Sequence, residues 1–329
     1  MSSLYMAFRK SHLVVSFIRW FDTYARETTA KDHPDAERVD LIRCIPFFLL
    51  HVACIGVYWV GWSWTAVGVA AFLYFARMFA ITGFYHRYFS HKTFETNRFW
   101  QFMFAVAGSA AVQRGPLWWA ANHRHHHQHS DEPEDAHSPV QHSFMHSHMF
   151  WILTRARFNT NLKAVPDLAK YPELTFLDRF DIVVPMFLAA SMLGLGYALE
   201  YFAPQLGTNA MQMLIWGFFI STVVLFHGTC TINSLSHLFG SKRFKTKDQS
   251  RNNPLLAIIT LGEGWHNNHH RYANSTRQGF YWYEYDITYY ILVMMSWFGI
   301  IRNIKQVPEH IYREAEGGTA VAVAHEAGE

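Results

Sequence analysis

The sequence predicts an all-α membrane protein: four transmembrane helices in two hairpins, with a cytoplasmic helical cap holding a two-metal site. Three observations carry this reading. Four apolar runs are each long enough to cross a bilayer. Of the 28 Lys and Arg residues, all except Arg77 fall in segments 1–43, 85–180 and 233–329. Histidine, with 21 residues, is concentrated in those same basic segments.

The composition agrees. Half the residues are hydrophobic and 17% aromatic. Only 16% are charged, against roughly 25% in a soluble domain. The net charge of +3 gives no reason to expect a nucleic-acid partner. Residues 1–42 read as a cytoplasmic N-terminal segment, too basic and too weakly apolar for a cleaved signal peptide. The spans follow at about 43–62, 64–85, 181–202 and 211–232. Gly61-Trp62-Ser63 turns the first pair and Ala203-Pro204-Gln205-Leu206-Gly207 the second. Shorter runs at 99–113 and 288–301 fit buried or interfacial helices rather than spans. The working domain is expected over 43–305. Residues 306–329 form a tail, rich in Gly, Ala and Glu from Glu314 onward and read there as disordered.

Charge sets the orientation. With four spans, segments 1–43, 85–180 and 233–329 share one face, and their Lys and Arg make that face cytoplasmic. Both termini then lie in the cytoplasm. Every histidine cluster lies on that face or at its mouth; a spanning 99–113 run would divide them.

Residues 83–91 read GFYHRYFSH, with His86 and His91 in an HxxxxH pattern. Residues 122–127 read NHRHHH, and His123, His126 and His127 make HxxHH. Residues 262–270 read GEGWHNNHH, and His266, His269 and His270 repeat it. Asn233 and His237 form an i, i+4 pair just past the last span. On a helix, i, i+3 and i+4 share a face, so each HxxHH set points one way. HxxxxH shares no face of a regular helix, and its two histidines are expected to straddle a helix end. Neutral imidazole suits Zn, Cu, Fe and Ni, and a structural zinc closes at four ligands. Nine histidines exceed one metal and suit two.

Other polar residues have plainer readings. His51 and His227, inside spans, are expected to be hydrogen-bonded packing residues. Arg77 either faces a substrate tunnel or snorkels. Trp118-Trp119 and Tyr281-Trp282-Tyr283 read as interfacial anchors. Cys44, Cys54 and Cys230 sit in apolar runs, as small packing residues do.

Together, GFYHRYFSH, NHRHHHQHSD, NSLSH and GEGWHNNHHRY resemble the membrane fatty-acyl desaturases of the stearoyl-CoA type, over about residues 40 to 305. The resemblance implies a four-helix stem and a cytoplasmic cap binding two Fe ions. Its ligands would be His86, His91, His123, His126, His127, His237, His266, His269 and His270, with Asn233 reaching iron through a water. It implies an O2-dependent enzyme that introduces a cis double bond, at delta-9, into a saturated acyl chain on CoA or lipid. No fused haem domain is apparent, so a separate electron donor is implied: ferredoxin, rubredoxin or a cytochrome b5 type. Animal members carry Arg-Asp directly before the second box; Ala121 and Asn122 stand here. The short N-terminus points to a bacterial inner membrane.

Removing hydrogen from unactivated methylenes is beyond any side-chain acid or base, so a cofactor must supply the oxidant. Glu263, three residues before His266, is expected to orient an imidazole, and Asp131 and Glu134 are candidates for the same role. A membrane hydroxylase of alkanes or fatty acids is the alternative within this chemistry; the four-residue gap between His86 and His91, with NSLSH, favours desaturation. A metal transporter would need more polar residues along the spans than Arg77, His51 and His227. Zinc binds nitrogen donors more tightly than ferrous iron. Overproduced protein is therefore expected to carry zinc, and metal analysis of such a preparation checks this.

Overall fold

A computed structural model describes residues 12–25, 36 and 38–315. Among these the chain is helical and forms no β-strand, only isolated bridges. A short helix, α1 (His12–Ile18), precedes the first span. The four spans are α2 (Leu41–Val60), α3 (Trp64–Ser90), α8 (Val183–Phe202) and α9 (Ala210–His237). Between α3 and α8 lie α4 (Arg98–Ser109), α5 (Pro116–His129), α6 (Phe144–His148) and α7 (Pro172–Arg179). After α9 come α10 (Pro254–Ile259), α11 (His266–Arg271), α12 (Ile287–Trp297) and α13 (Glu309–Ala315).

The span ends are fixed by local chemistry. Asp40 caps α2, its carboxylate accepting from the Arg43 amide at 3.2 Å. The first turn needs Gly61, whose φ of +65° suits a residue without Cβ. Ser63 then caps α3, accepting from Ala66 N at 3.1 Å. Asn209 does the same for α9, accepting from Gln212 N at 2.9 Å. Turn carbonyls find donors across the hairpins: Gln212 donates to Val60 O at 2.8 Å and Trp216 to Gly61 O at 2.9 Å.

α3 and α9 run on to residues 90 and 237, beyond where their apolar runs stop. Hydropathy falls at the first histidine, but the helix continues because those histidines are buried: His86 is 4% exposed and His237 2%. These two spans also form the centre of the bundle. They are 44% and 50% buried, against 11% for α2 and 17% for α8. The central pair thus carries histidines into the cap.

Arg77 neither lines a tunnel nor snorkels. It is buried inside the bundle and donates to Ser221 Oγ at 2.5 Å and Thr222 Oγ1 at 2.8 Å on α9, and to Ala110 O at 3.3 Å. The 99–113 and 288–301 runs become α4 and α12, both too short to span. α4 packs its apolar face on the end of α3: Phe84 and Phe104 stack at 3.9 Å between centroids, and Tyr85 and Ser109 hydroxyls pair at 2.9 Å. The three cysteines are free thiols. Glu314, expected in the disordered tail, instead sits in α13, ion-paired with Arg271. The rest of that tail call, residues 316–329, lies outside the described residues.

The helix that carries the second histidine cluster starts on a buried carboxylate. Asp178, 1% exposed, accepts from Leu117 N at 2.9 Å and Trp118 N at 2.7 Å, two amides at the α5 N-terminus. Its other oxygen accepts from Tyr24 at 2.8 Å and Thr160 at 2.6 Å. Removing a partner from buried donors costs more than the bond contributes. Asp178→Ala is expected to destabilise the protein by about 3 kcal/mol, read as a lower unfolding midpoint in detergent. Asp178→Asn, which keeps an acceptor oxygen, should lose less.

Candidate metal centre

All nine expected histidines come together in the cap, in two adjoining groups. His86, His91, His123, His127 and His269 form one; His126, His237, His266 and His270 form the other. Within each group the candidate ligand nitrogens lie within 4.8 Å of one another. The groups touch where His127 stacks on His270, at 4.5 Å between centroids.

Local structure explains the sorting. From Ala80 to Ser90, α3 is wound as a π-helix, whose bonds run from i to i+5. The His91 amide donates to His86 O at 3.2 Å, so HxxxxH shares a face after all, with His91 as the C-cap. On α5, His123 and His127 serve the first group while His126 serves the second. On α11, His266 and His270 serve the second while His269 serves the first. Each HxxHH set therefore faces both groups rather than one. His237 sits in a 3-10 turn at the end of α9.

Four imidazoles are held by carboxylates. Glu263 lies 2.5 Å from His86 Nδ1, Asp135 2.9 Å from His126 Nδ1, Asp131 2.9 Å from His237 Nδ1, and Asp248 2.7 Å from His270 Nδ1. Each carboxylate accepts a proton held on Nδ1, which leaves Nε2 as a bare lone pair. The Nε2 atoms face one another: His86 and His269 at 3.1 Å, His127 and His269 at 2.9 Å, His91 and His123 at 2.8 Å, His237 and His266 at 3.0 Å. His270 Nε2 is buried without a hydrogen-bond partner among the described residues.

Protonation is not the remedy for this crowding. Burial first, and neighbouring histidines second, hold His91, His123, His127, His266 and His269 well below 6.5. Burial also takes His270 down to about 4, against the pull of Asp248. His126 is the exception: burial lowers it, but Asp135 prevails and raises it. Asp135 and Asp248 themselves stay well below the usual carboxylate range, because their histidine partners outweigh burial. A set of converging imidazole nitrogens, four of them fixed from behind by carboxylates, fits cations. Five and four nitrogens fit two of them.

Glu263 does orient an imidazole, but that of His86 rather than its sequence neighbour His266. It also pairs with the fully buried Arg87 at 3.0 Å, which reaches Asp286 at 2.9 Å. Asp131 takes the expected role; Glu134 does not, and groups with His129 and Glu132 nearer the surface. Sequence reasoning missed Asp135 and Asp248. Asp135, nine residues past His126, was within reach of inspection; Asp248 is 22 residues from His270 and carried no local signal.

Two cavities meet at the site. The inner one is small and lined by His86, His123, His266 and Asn233 with Ile81 and Ile232. The outer one, about 230 Å³, is mostly apolar and runs between α2, α5 and α9. Trp119 lines both, and Gln113 of the outer cavity donates to Thr229 of the inner one at 2.9 Å. The expectation of interfacial anchors fails for Trp118 and Trp119. Trp118 is buried and donates to Arg157 O at 2.6 Å, and Trp119 stacks on His123. A helix start covered by α7 leaves these rings facing the protein interior. Trp282, 82% exposed, suits the anchor reading. His51 and His227 are hydrogen-bonded, to each other at 3.3 Å and onward from His227 to His148 at 3.0 Å.

The fatty acid desaturase family model matches residues 62–295. The "Probable lipid desaturase ADS3.2, chloroplastic" of Arabidopsis thaliana is 37% identical over 74% of this chain; the match spans 64% of that protein's length. "Delta-9 acyl-lipid desaturase 1" of the same plant is 33% identical over 82% of this chain and 84% of its own. "Acyl-CoA 5-desaturase AL21" of Anemone leveillei is 32% identical over 80% and 78%.

The carboxylates behind the imidazoles give a direct test. Asp248→Ala frees the His270 ring and should lower metal affinity about 10- to 100-fold. Metal retained during dialysis against a chelator, measured beside the unaltered protein, checks it.

Proposed function

The chain belongs to the fatty acid desaturase family, and from that premise we propose that it is an O2-dependent desaturase that introduces a cis double bond, at delta-9, into a saturated fatty-acyl chain. The observation that carries the proposal is the convergence of nine imidazoles, four of them lining an inner cavity that shares Trp119 with a mostly apolar outer one. Two Fe ions would be held by His86, His91, His123, His127 and His269, and by His126, His237, His266 and His270, with Asn233 acting through a water. When bound, the irons supply the oxidising power, with O2 as co-substrate, for removing two hydrogens from unactivated methylenes.

The remaining work belongs to the chain. The apolar walls of the outer cavity hold the acyl chain and exclude water. Trp119, fixed against His123, and the Gln113–Thr229 bond set where the chain passes toward the imidazoles. Orientation decides which carbons react, so rigidity here is specificity. Glu263, Asp131, Asp135 and Asp248 keep the imidazoles aimed. Electrons come from a separate donor of the ferredoxin, rubredoxin or cytochrome b5 type. The basic cap faces the cytoplasm with both termini, as the distribution of Lys and Arg favours, and the membrane we propose is a bacterial inner membrane.

Expression in a desaturase-deficient host, beside a His269→Ala control, tests the proposal. A new fatty acid lighter by two hydrogens, formed only with the intact chain, is the expected result. A product heavier by one oxygen atom would instead assign hydroxylation.

A further inference from the structure

The wall of the outer cavity is mostly apolar but carries charge at one place. Arg19, Arg43 and Arg114 line it, against one lining carboxylate, Asp181. Arg114 Nε lies 3.1 Å from Asp181. Arg43 is 6% exposed, and its Nε is buried without a hydrogen-bond partner among the described residues. Both Arg43 and Arg114 turn to one acceptor, the Phe158 carbonyl, at 3.5 and 2.8 Å. Both guanidiniums also lie over the Phe158 ring, at 4.1 and 5.7 Å. Two like charges converge on one neutral oxygen in an apolar wall and repel each other; Asp181 pairs with Arg114, while Arg43 Nε keeps an open donor for a further anion.

This charged part of the wall also has a definite level. Arg43 is in the first turn of α2, where that span begins. Beside it, the α1 region exposes Phe17 (53%) and Phe21 (51%), and the Trp20 indole donates to Ile42 O at 3.0 Å. Exposed apolar rings next to a span end lie in the headgroup zone of a bilayer. Before the second histidine cluster, Ala121 and Asn122 carry no charge, and Asn122 is spent on Trp118 O at 2.9 Å. The cationic groups therefore stand at the membrane surface.

We infer that Arg43 and Arg114 clamp the phosphate of a membrane phospholipid whose acyl chain enters the outer cavity. This rests on the cavity being the acyl site of the proposed desaturase. A planar guanidinium matches phosphate oxygens in pairs, and the pairing strengthens where water is excluded.

The test is binding to the full-length protein in detergent, with three probes: phosphatidylglycerol, diacylglycerol with the same chains, and a long-chain acyl-CoA. Phosphatidylglycerol is expected to bind at least about tenfold tighter than diacylglycerol. Arg43→Gln and Arg114→Gln should each remove most of that preference while diacylglycerol affinity and metal content hold. Arg43→Lys and Arg114→Lys, which keep the charge, should retain part of it, and they serve where a glutamine variant does not fold. Equal binding of the two lipids, or variants that bind phosphatidylglycerol as the unaltered protein does, would overturn the clamp. So would acyl-CoA displacing phosphatidylglycerol at lower concentration, which would assign the phosphate to a soluble substrate. Binding needs no turnover. A lipid preference that persists without any unsaturated product would leave the clamp standing and remove the catalytic reading.

Discussion

Imidazole nitrogens converging in a buried space are the constraint on which the cap depends. The imidazoles approach at 2.8 to 3.1 Å, Nε2 to Nε2, close enough to share either a proton or a cation. Burial denies most of them a proton. The arrangement is therefore held from outside by the fold, and by carboxylates that fix Nδ1. Those carboxylates are in turn committed. Asp131 also accepts from Ser138 at 2.5 Å and Gln249 N at 2.7 Å, and Glu263 is tied to Arg87. The four imidazoles they hold are fixed in orientation.

That rigidity reaches into the bilayer. α3 and α9 supply histidines at their cap ends and form the buried centre of the stem. Arg77 ties them through Ser221 and Thr222, where a salt-free polar contact between helices can be fully satisfied. The stem thus fixes the separation of His86 and His91 from His237, which neither helix could do alone. At the other wall, the Asp178 carboxylate seats α5 on α7 and sets the height of His123.

Much of this was legible in the sequence. Four spans, two hairpins and nine histidines follow from hydropathy, charge and spacing, because each is a local pattern. What was not legible has a physical reason in each case. HxxxxH looked incompatible with one helix face because regular helix geometry was assumed; an i to i+5 winding is not encoded in residue spacing. Glu263 was expected near His266, yet Gly262 at φ +125° and the turn before α11 send it to His86. Asp248 serves His270 across a loop, a contact that exists only once the chain is folded. Trp118 and Trp119 looked interfacial since apolar indoles suit both membrane surface and interior, and composition cannot separate the two.

The division of HxxHH between two groups has a structural consequence. On both α5 and α11, residues one turn apart stay in one group, and the remaining histidine crosses to the other. Neither helix belongs to one group, so neither α5 nor α11 can shift its imidazoles in one group without moving those in the other. Two groups built on separate helices could drift apart as those helices breathe. Two groups sharing both helices keep a fixed separation, set by the 1.5 Å rise per residue of the backbone itself. The short, repeated motif is how a small cap holds two sites at one distance.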